Sequence, residues 1–103
     1  MTKKKMKKIK TTLFDPADYI KDETDARIYM EEAMKFGDPA FITHALGTIA
    51  RARGMSKIAK RSGMSRESLY KALSKKGNPE LGTVMRVMQA VGLKLSVERA
   101  SAR

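Results

Sequence analysis

The sequence predicts one all-α domain of five short helices. Its 103 residues leave room for one core and not for two independently stable ones. Apolar residues recur at intervals of three and four through most of the chain, as they do along one face of a helix. Glycines and capping residues separate these periodic segments. Residues 94–98 (KLSVE) alternate instead and are compatible with a short C-terminal strand, which would need a partner from the N-terminal segment or a second subunit.

The chain divides into a domain and two tails. Residues 1–12 carry six lysines and no acid, and they predict a flexible basic tail that either touches phosphates or only aids solubility. Residues 13–99 form the domain, which begins with an extended or turn segment before Pro16. Residues 100–103 form a short C-terminal tail.

Two longer helices come first. One begins at Asp22 and ends at Gly37, with acids in its first turn, where the helix dipole favours them. The next begins at Asp38-Pro39 and ends near Gly54. The predicted core residues of the first helix are Ala26, Tyr29, Met30, Ala33 and Met34, and those of the second are Phe41, Ile42, Ala45, Leu46, Ile49 and Ala50.

Three shorter helices follow. Ser56 is the predicted cap of residues 57–62, and Ser65 is the predicted cap of residues 66–74. The last helix opens at residues 78–80 (NPE) and stops at Gly92. Its predicted inward residues are Leu81, Val84, Met85, Met88 and Val91.

Charge and composition limit the classes of function that the chain can have. The net charge is +11, made up of +6 in residues 1–12, −3 in residues 13–53 and +8 in residues 54–103. A basic half joined to a mildly acidic half suggests two different partners. Cysteine is absent, which excludes disulfides and thiolate chemistry. Without an apolar run of membrane-spanning length or a secretory signal, the expected location is cytoplasmic.

Residues 56–74 have the spacing of a helix-turn-helix. Ala59 is small enough for two helices to cross closely, and Gly63 takes a turn conformation that a side chain would resist. Met64 plugs the corner, while Leu69 and Leu73 bury the second helix. Such a motif holds its second helix in position for the DNA major groove. Residues 57–76 carry seven bases and one acid, which agrees with this role.

The predicted DNA contacts fall into three groups. Arg66 leads the second helix and is the best candidate for bidentate contact with guanine, while Glu67 accepts from cytosine or orients Arg66. The lysines and the hydroxyl of Tyr70 suit phosphate contacts. The two serines either hold phosphates or only cap their helices. The full predicted set is Ser56, Lys57, Ser65, Arg66, Glu67, Tyr70, Lys71 and Lys75.

Nothing in the sequence indicates an enzyme. His44 is the only histidine, and no pair of carboxylates accompanies it at catalytic or metal-ligand spacing. The seven glycines fall singly, so there is no phosphate-cradling loop. We therefore expect no catalytic residues, no metal and no cofactor.

Residues 14–20 (FDPADYI) and 29–95 resemble the addiction-module antidote proteins, which are HigA-like antitoxins with a Cro/λ-repressor-type (XRE) DNA-binding domain. The pieces GMS, SRESLYKAL and GNPEL carry the resemblance as a set. It implies a five-helix λ-repressor-like fold and an antitoxin that binds a RelE/HigB-like toxin. It also implies repression of the antitoxin's own operon, by a homodimer on a palindromic operator.

Under that resemblance the acidic part of the chain would face the toxin. Tyr19, Asp22, Glu23 and Tyr29 are the candidate contacts, with Ile20 as a further apolar anchor. The acids could equally form the solvated face of an ordinary helix. Two other functions stay open: a stand-alone phage-type repressor without a toxin, and a non-specific nucleic-acid or protein interaction module.

Overall fold

The computed structural model describes residues 15–74 and 76–100, and this part of the chain is all-helical. It contains one 3-10 turn and five α-helices, so the predicted fold class is confirmed. The 3-10 turn is Pro16–Tyr19, and the helices are α1 (Glu23–Phe36), α2 (Pro39–Arg53), α3 (Met55–Ser62), α4 (Arg66–Ala72) and α5 (Leu81–Ala90). None of the described helices is long and apolar enough to cross a membrane.

The ends of α1 and α2 follow the sequence signals. The carboxylate of Asp22 accepts a hydrogen bond from the Asp25 amide at 2.9 Å and so caps α1. Gly37 ends the helix in the left-handed conformation. Pro39 then occupies the first turn of α2, where its missing N–H costs nothing.

All five helices contribute buried apolar side chains to one core. α1 packs along α2, and α3 packs against α2, α4 and α5. The largest fully buried apolar side chains are Leu46, Ile49, Ile58, Leu69, Val87 and Val91. The buried hydroxyls of Thr48 and Ser62 donate to carbonyls of their own helices, at His44 and Ala59, so neither is left without a partner.

Two predicted helix boundaries were wrong. α3 begins at Met55, with Gly54 as its cap at a φ of 102°, and Ser56 therefore lies inside the helix. The glycine lets the chain turn directly from α2 into α3, and Met55 is buried in the first turn. α4 ends at Ala72, not at Ser74.

Four predicted core residues are instead exposed: Met34, Phe41, Leu81 and Met85. Leu81 lies in the first turn of α5, and α5 is buried through Val87 and Met88 in its second half. Periodicity located the apolar stripe but not the part of it that a neighbouring helix covers.

The C-terminal strand is also not present: among residues 15–74 and 76–100 there is no strand. Leu93 and Leu95 pack against the core, whereas Val97 is 97% exposed. An alternating segment needs a second strand to pair with, and nothing in the described part of a single chain supplies one.

Candidate nucleic-acid interface

α3 and α4 are joined by the tight turn that the sequence predicts. Gly63 has a φ of 73°, and its N–H donates to the Lys60 carbonyl at 3.2 Å. The Met64 N–H donates to the Ala59 carbonyl at 2.9 Å, which completes a Schellman motif. The half-buried Met64 side chain packs against the core. The turn therefore fixes the angle between the two helices by backbone bonds as well as by packing.

One face of α4 is anchored, so the other must project. Leu69 is fully buried and Leu73, just beyond the helix, nearly so. At the start of the helix the Ser65 hydroxyl oxygen accepts from the Ser68 N–H at 3.0 Å, which confirms Ser65 as the cap. Arg66, Glu67, Tyr70 and Lys71 are the exposed residues of α4 besides Ser68.

The guanidinium of Arg66 is held between the two helices. Its Nη1 donates to the Ser56 hydroxyl at 3.3 Å, and its Nη2 donates to the Tyr70 hydroxyl at 3.4 Å. The guanidinium carbon also lies 5.5 Å from the centre of the Tyr70 ring, within cation–π range. Both partners are neutral, so the side chain is oriented while its positive charge stays uncompensated.

The sequence predicted Ser56, Arg66 and Tyr70 as DNA contacts but did not predict that Arg66 bonds to both of the other two. The spacing of four between Arg66 and Tyr70 could have indicated their contact, because such residues are neighbours on a helix. The bond to Ser56 spans ten residues and depends on how α3 and α4 cross. Glu67, which was expected to accept from cytosine or to orient Arg66, is not among the hydrogen-bond partners of Arg66 in the described structure.

The remaining predicted DNA contacts are lysines, and the described ones lie on the exposed surface of α3 and α4. Lys57 and Lys71 are exposed, on α3 and α4 respectively. Lys75 lies outside the described residues. In residues 15–74 and 76–100 the ion pairs are Arg27–Glu31, Lys35–Glu32 and Arg51–Asp15, none of which involves a base of α3 or α4. The basic charge of this surface is thus not neutralised by those pairs.

A bidentate ion pair lies beside this surface. Arg51 on α2 donates from Nη1 and Nη2 to the Asp15 carboxylate at 3.0 and 3.2 Å. The hydrogen bonds from Arg51, and secondarily that from the Ala17 N–H, lower the pKa of Asp15, and the same pair raises the pKa of Arg51. Arg51 also lines a cavity of about 200 Å³ together with Tyr70 and Ser74. The start of the described chain is therefore tied to α2.

The predicted toxin contacts differ widely in how exposed their side chains are. Tyr19 is 65% exposed, whereas Tyr29 is half-buried against the core. Asp22 is the cap of α1, and the Glu23 carboxylate lies against Gly92. Ile20 is 5% exposed and belongs to the core, so its assignment as an apolar anchor for a partner was wrong.

α1 carries a second apolar feature that sequence reasoning missed. Ile28 and Phe36 are 49% and 75% exposed, away from the buried stripe that contains Ala26 and Met30. The Phe36 ring lies 5.0 Å from that of Phe41 on α2, measured between ring centres and with the planes inclined at 56°. The signal was available, because both residues fall outside the apolar stripe of α1.

Comparison with known proteins identifies the family. The family model described as "probable addiction module antidote protein" matches residues 10–99. The chain belongs to this family. A curated relative, an uncharacterized protein of Haemophilus influenzae, is 46% identical over 87 residues, which cover 84% of this chain and 90% of the relative. No solved structure shows significant similarity.

Membership of the antidote family fits a protein that acts by binding. Within the described residues no three histidine or acidic side chains are grouped closely enough to hold a metal ion. The absence of catalysis and of cofactors remains a prediction.

Proposed function

We propose that this antidote protein neutralises a cognate toxin by direct binding and represses its own operon by binding DNA through α3 and α4. Family membership supports the first activity. The observation that carries the second is the placement of Arg66, which neutral side chains hold in position at the exposed start of α4. We further propose that the toxin is of the RelE/HigB-like, mRNA-cleaving kind and that the domain is of the HigA-like XRE type.

DNA recognition uses α4 in the major groove. The Arg66 guanidinium exchanges two weak bonds to neutral hydroxyls for bidentate bonds to O6 and N7 of guanine. The Ser56 hydroxyl lies beside it and can then bond to a phosphate, as can Tyr70 and the cap at Ser65. Glu67 accepts from cytosine. The lysines contribute affinity that depends on salt and not on sequence: Lys57, Lys71 and Lys75.

Repression requires a homodimer on a palindromic operator. In a two-fold dimer the two α4 helices enter successive major grooves about 34–36 Å apart. Two subunits on one operator double the number of DNA contacts, so tight binding is confined to operators that contain both half-sites.

Toxin binding uses the acidic half of the chain. Tyr19 supplies an exposed aromatic ring beside α1, and Ile28 and Phe36 supply exposed apolar area on α1 itself. Asp22, Glu23 and Tyr29 are the further contacts in this proposal, and the two acids complement a basic toxin.

DNA binding is tested by selecting a preferred duplex from a random pool and comparing its affinity with that of a scrambled duplex. Arg66→Ala is expected to weaken binding to the preferred duplex by about 1–3 kcal/mol and to relax selection at one base position. Ser56→Ala and Tyr70→Phe each remove one partner of Arg66 and should produce smaller losses. The matched control is Arg27→Ala, which removes the same charge from α1 and should leave affinity nearly unchanged.

The selection separates the proposed repressor from a non-specific module. A protein that reads sequence gives one motif and a large affinity ratio between the two duplexes. Equal affinity for all duplexes, with equal loss on all of them for Arg66→Ala, would refute base readout and favour the non-specific module.

Toxin binding is tested by co-expressing the tagged chain with the small reading frame beside its gene. Restored growth and co-purification are expected, and Phe36→Ser and Ile28→Ser should reduce both while leaving DNA affinity intact. The control is Met85→Ser, an exposed apolar residue of α5. A neighbour that is harmless or does not bind would instead indicate a stand-alone repressor.

A further inference from the structure

We infer that residues 93–98, termed here the C-terminal segment, pair antiparallel with the same residues of a second copy and so form the contact of a homodimer. The inference rests on the proposed function, which requires a homodimer, and it names the surface that the two copies share. It concerns a pairing that only two chains can form, because this segment contains no strand within one chain.

The C-terminal segment leaves α5 with an alternating pattern and no backbone partner. The Leu93 N–H donates to a carbonyl of α5 at 2.8 Å, which fixes the start of the segment. Leu93 and Leu95 are half-buried against the core, whereas Lys94 and Ser96 are exposed. Within the described part of the chain, no backbone-to-backbone hydrogen bond involves residues 94–98. An alternating segment with unpaired N–H and C=O groups can add a strand from another chain.

Antiparallel pairing centred on Ser96 makes the C-terminal segment complementary to itself. Lys94 then lies opposite Glu98 of the second copy, and opposite charges that face each other across two strands attract. On the other face of the pair, Leu95 lies opposite Val97 of the second copy. Two-fold symmetry repeats both pairs. A centre at Leu95 or Val97 would place both charges opposite uncharged residues, so charge selects the register about Ser96.

Val97 is the residue of the segment that most needs such a partner. It lies on the same side of the alternation as Leu93 and Leu95, which pack against the core, yet it is 97% exposed. Its own chain therefore has the pattern of a buried side chain without the apolar surface to cover it. Leu95 of a second copy supplies that surface in the register centred on Ser96.

A groove of about 780 Å³ is lined by α1, the end of α5 and the C-terminal segment. Met34 of α1 lines it together with Leu95, and Met34 is a predicted core residue that one chain leaves 41% exposed. A second strand on this side of the segment covers it. The three bases and two acids that line the groove nearly balance, in contrast to the basic surface of α3 and α4. Charge thus favours neither DNA nor a basic toxin there, and a second copy with the same balance is the occupant that fits.

Cross-linking tests the register, because the chain contains no cysteine. Ser96→Cys places two thiols directly opposite each other, with Cα atoms about 4.5–5.5 Å apart, which is within disulfide range. The matched control is Lys94→Cys, also exposed and in the same segment, whose two thiols lie about 13 Å apart along the strands. Mild oxidation of the full chain should convert most of the first variant to a covalent dimer and little of the second. Equal cross-linking of the two, or none in Ser96→Cys, would overturn the inference.

A charge exchange tests the contact without a covalent bond. Lys94→Glu and Glu98→Lys each bring like charges face to face twice, and each should raise the dimer dissociation constant, measured by sedimentation equilibrium, about tenfold or more. The double variant restores opposite pairs and should return to within about threefold of the original chain. Val97→Ser should weaken the dimer about tenfold, whereas the control Met85→Ser on α5 should leave it unchanged.

All four of these side chains are exposed in the single chain, so none of the changes removes a core contact. A chain that stays monomeric at every concentration, or a dimer that no change in the C-terminal segment weakens, would overturn the inference.

These measurements use the free chain and so distinguish this inference from the proposed function. A chain that cross-links at position 96 but selects no preferred duplex would support the inference and refute sequence-specific repression. A chain that selects a palindromic duplex as a dimer, without cross-linking at position 96, would support the proposed repression and refute the inference.

Discussion

The two halves of this domain use charged side chains in opposite ways. In the N-terminal half, Arg27 and Lys35 on α1 and Arg51 on α2 each pair with a carboxylate of the same half. In α3 and α4, Arg66 bonds to neutral hydroxyls, and Arg61 donates to the Ala90 carbonyl at 3.3 Å. A charged side chain that pairs with an opposite charge is neutralised within the fold. One that is held by neutral groups keeps its charge available for a partner. The difference agrees with the proposed anionic partner of α3 and α4.

The same comparison explains why the acidic half needs apolar area to bind a partner. Acids that already pair within the chain, or cap a helix, give up those interactions when a toxin engages them. Burying the exposed side chains of Ile28 and Phe36 breaks no such interaction, because it only removes apolar surface from water. We therefore expect the aromatic and aliphatic side chains to carry most of the toxin affinity and the acids to influence its association rate.

The largest effect is expected from the residue that ties α4 to the core. Leu69→Ala leaves a cavity at a fully buried position and should lower the free energy of unfolding by about 2–5 kcal/mol. Chemical denaturation measures it, and the exposed neighbour Glu67→Ala should change stability by less than about 0.5 kcal/mol. Comparable stability of both variants would mean that α4 is not packed as described.

A matched pair of glycines tests the turn against an ordinary helix position. Gly63→Ala places a side chain at a φ of 73° and should destabilise the domain by about 1–2 kcal/mol. Gly82 lies in α5 with open space where a Cβ would project, so Gly82→Ala should stabilise by up to about 1 kcal/mol. Thermal unfolding of the two variants should shift in opposite directions. Shifts of the same sign would argue against the left-handed turn between α3 and α4.

Local signals predicted the helices because each signal acts within a few residues. Periodicity, the Ser65 cap and the Gly63 stop all concern contacts within one turn of the helix they define, and all three match the structure. The prediction of Ser56 as a cap was wrong for the same reason. A serine before an apolar run resembles a cap, but Gly54 is the cap and the helix begins at Met55.

The site depended on contacts that no local pattern specifies. The residue types of the α3–α4 surface were predictable from charge and spacing, yet the bond from Arg66 to Ser56 arises from the crossing of two helices. The exposure of Leu81 and Met85 likewise depends on where α5 meets its neighbours. The Asp15–Arg51 pair joins residues 36 positions apart, and no sequence pattern predicted it.

The smallest effect is expected at that ion pair, and it has a defined pH dependence. Hydrogen bonds from Arg51 lower the pKa of Asp15 in the folded chain below its ordinary value of 3.8. The stabilisation is therefore fully present above that value and is lost as the pH falls through the lowered folded-state pKa. Asp15→Asn keeps a capping oxygen but removes the charge, so it should cost about 0.5–1 kcal/mol at neutral pH and nothing once Asp15 is protonated.

Measurement of unfolding free energy against pH for both chains checks this dependence. Glu31→Gln is the comparison, since it breaks a more exposed pair within one helix and should cost only about 0.3–0.5 kcal/mol at neutral pH. An Asp15→Asn difference that persists unchanged in acid would show that the carboxylate acts by packing or capping and not by its charge.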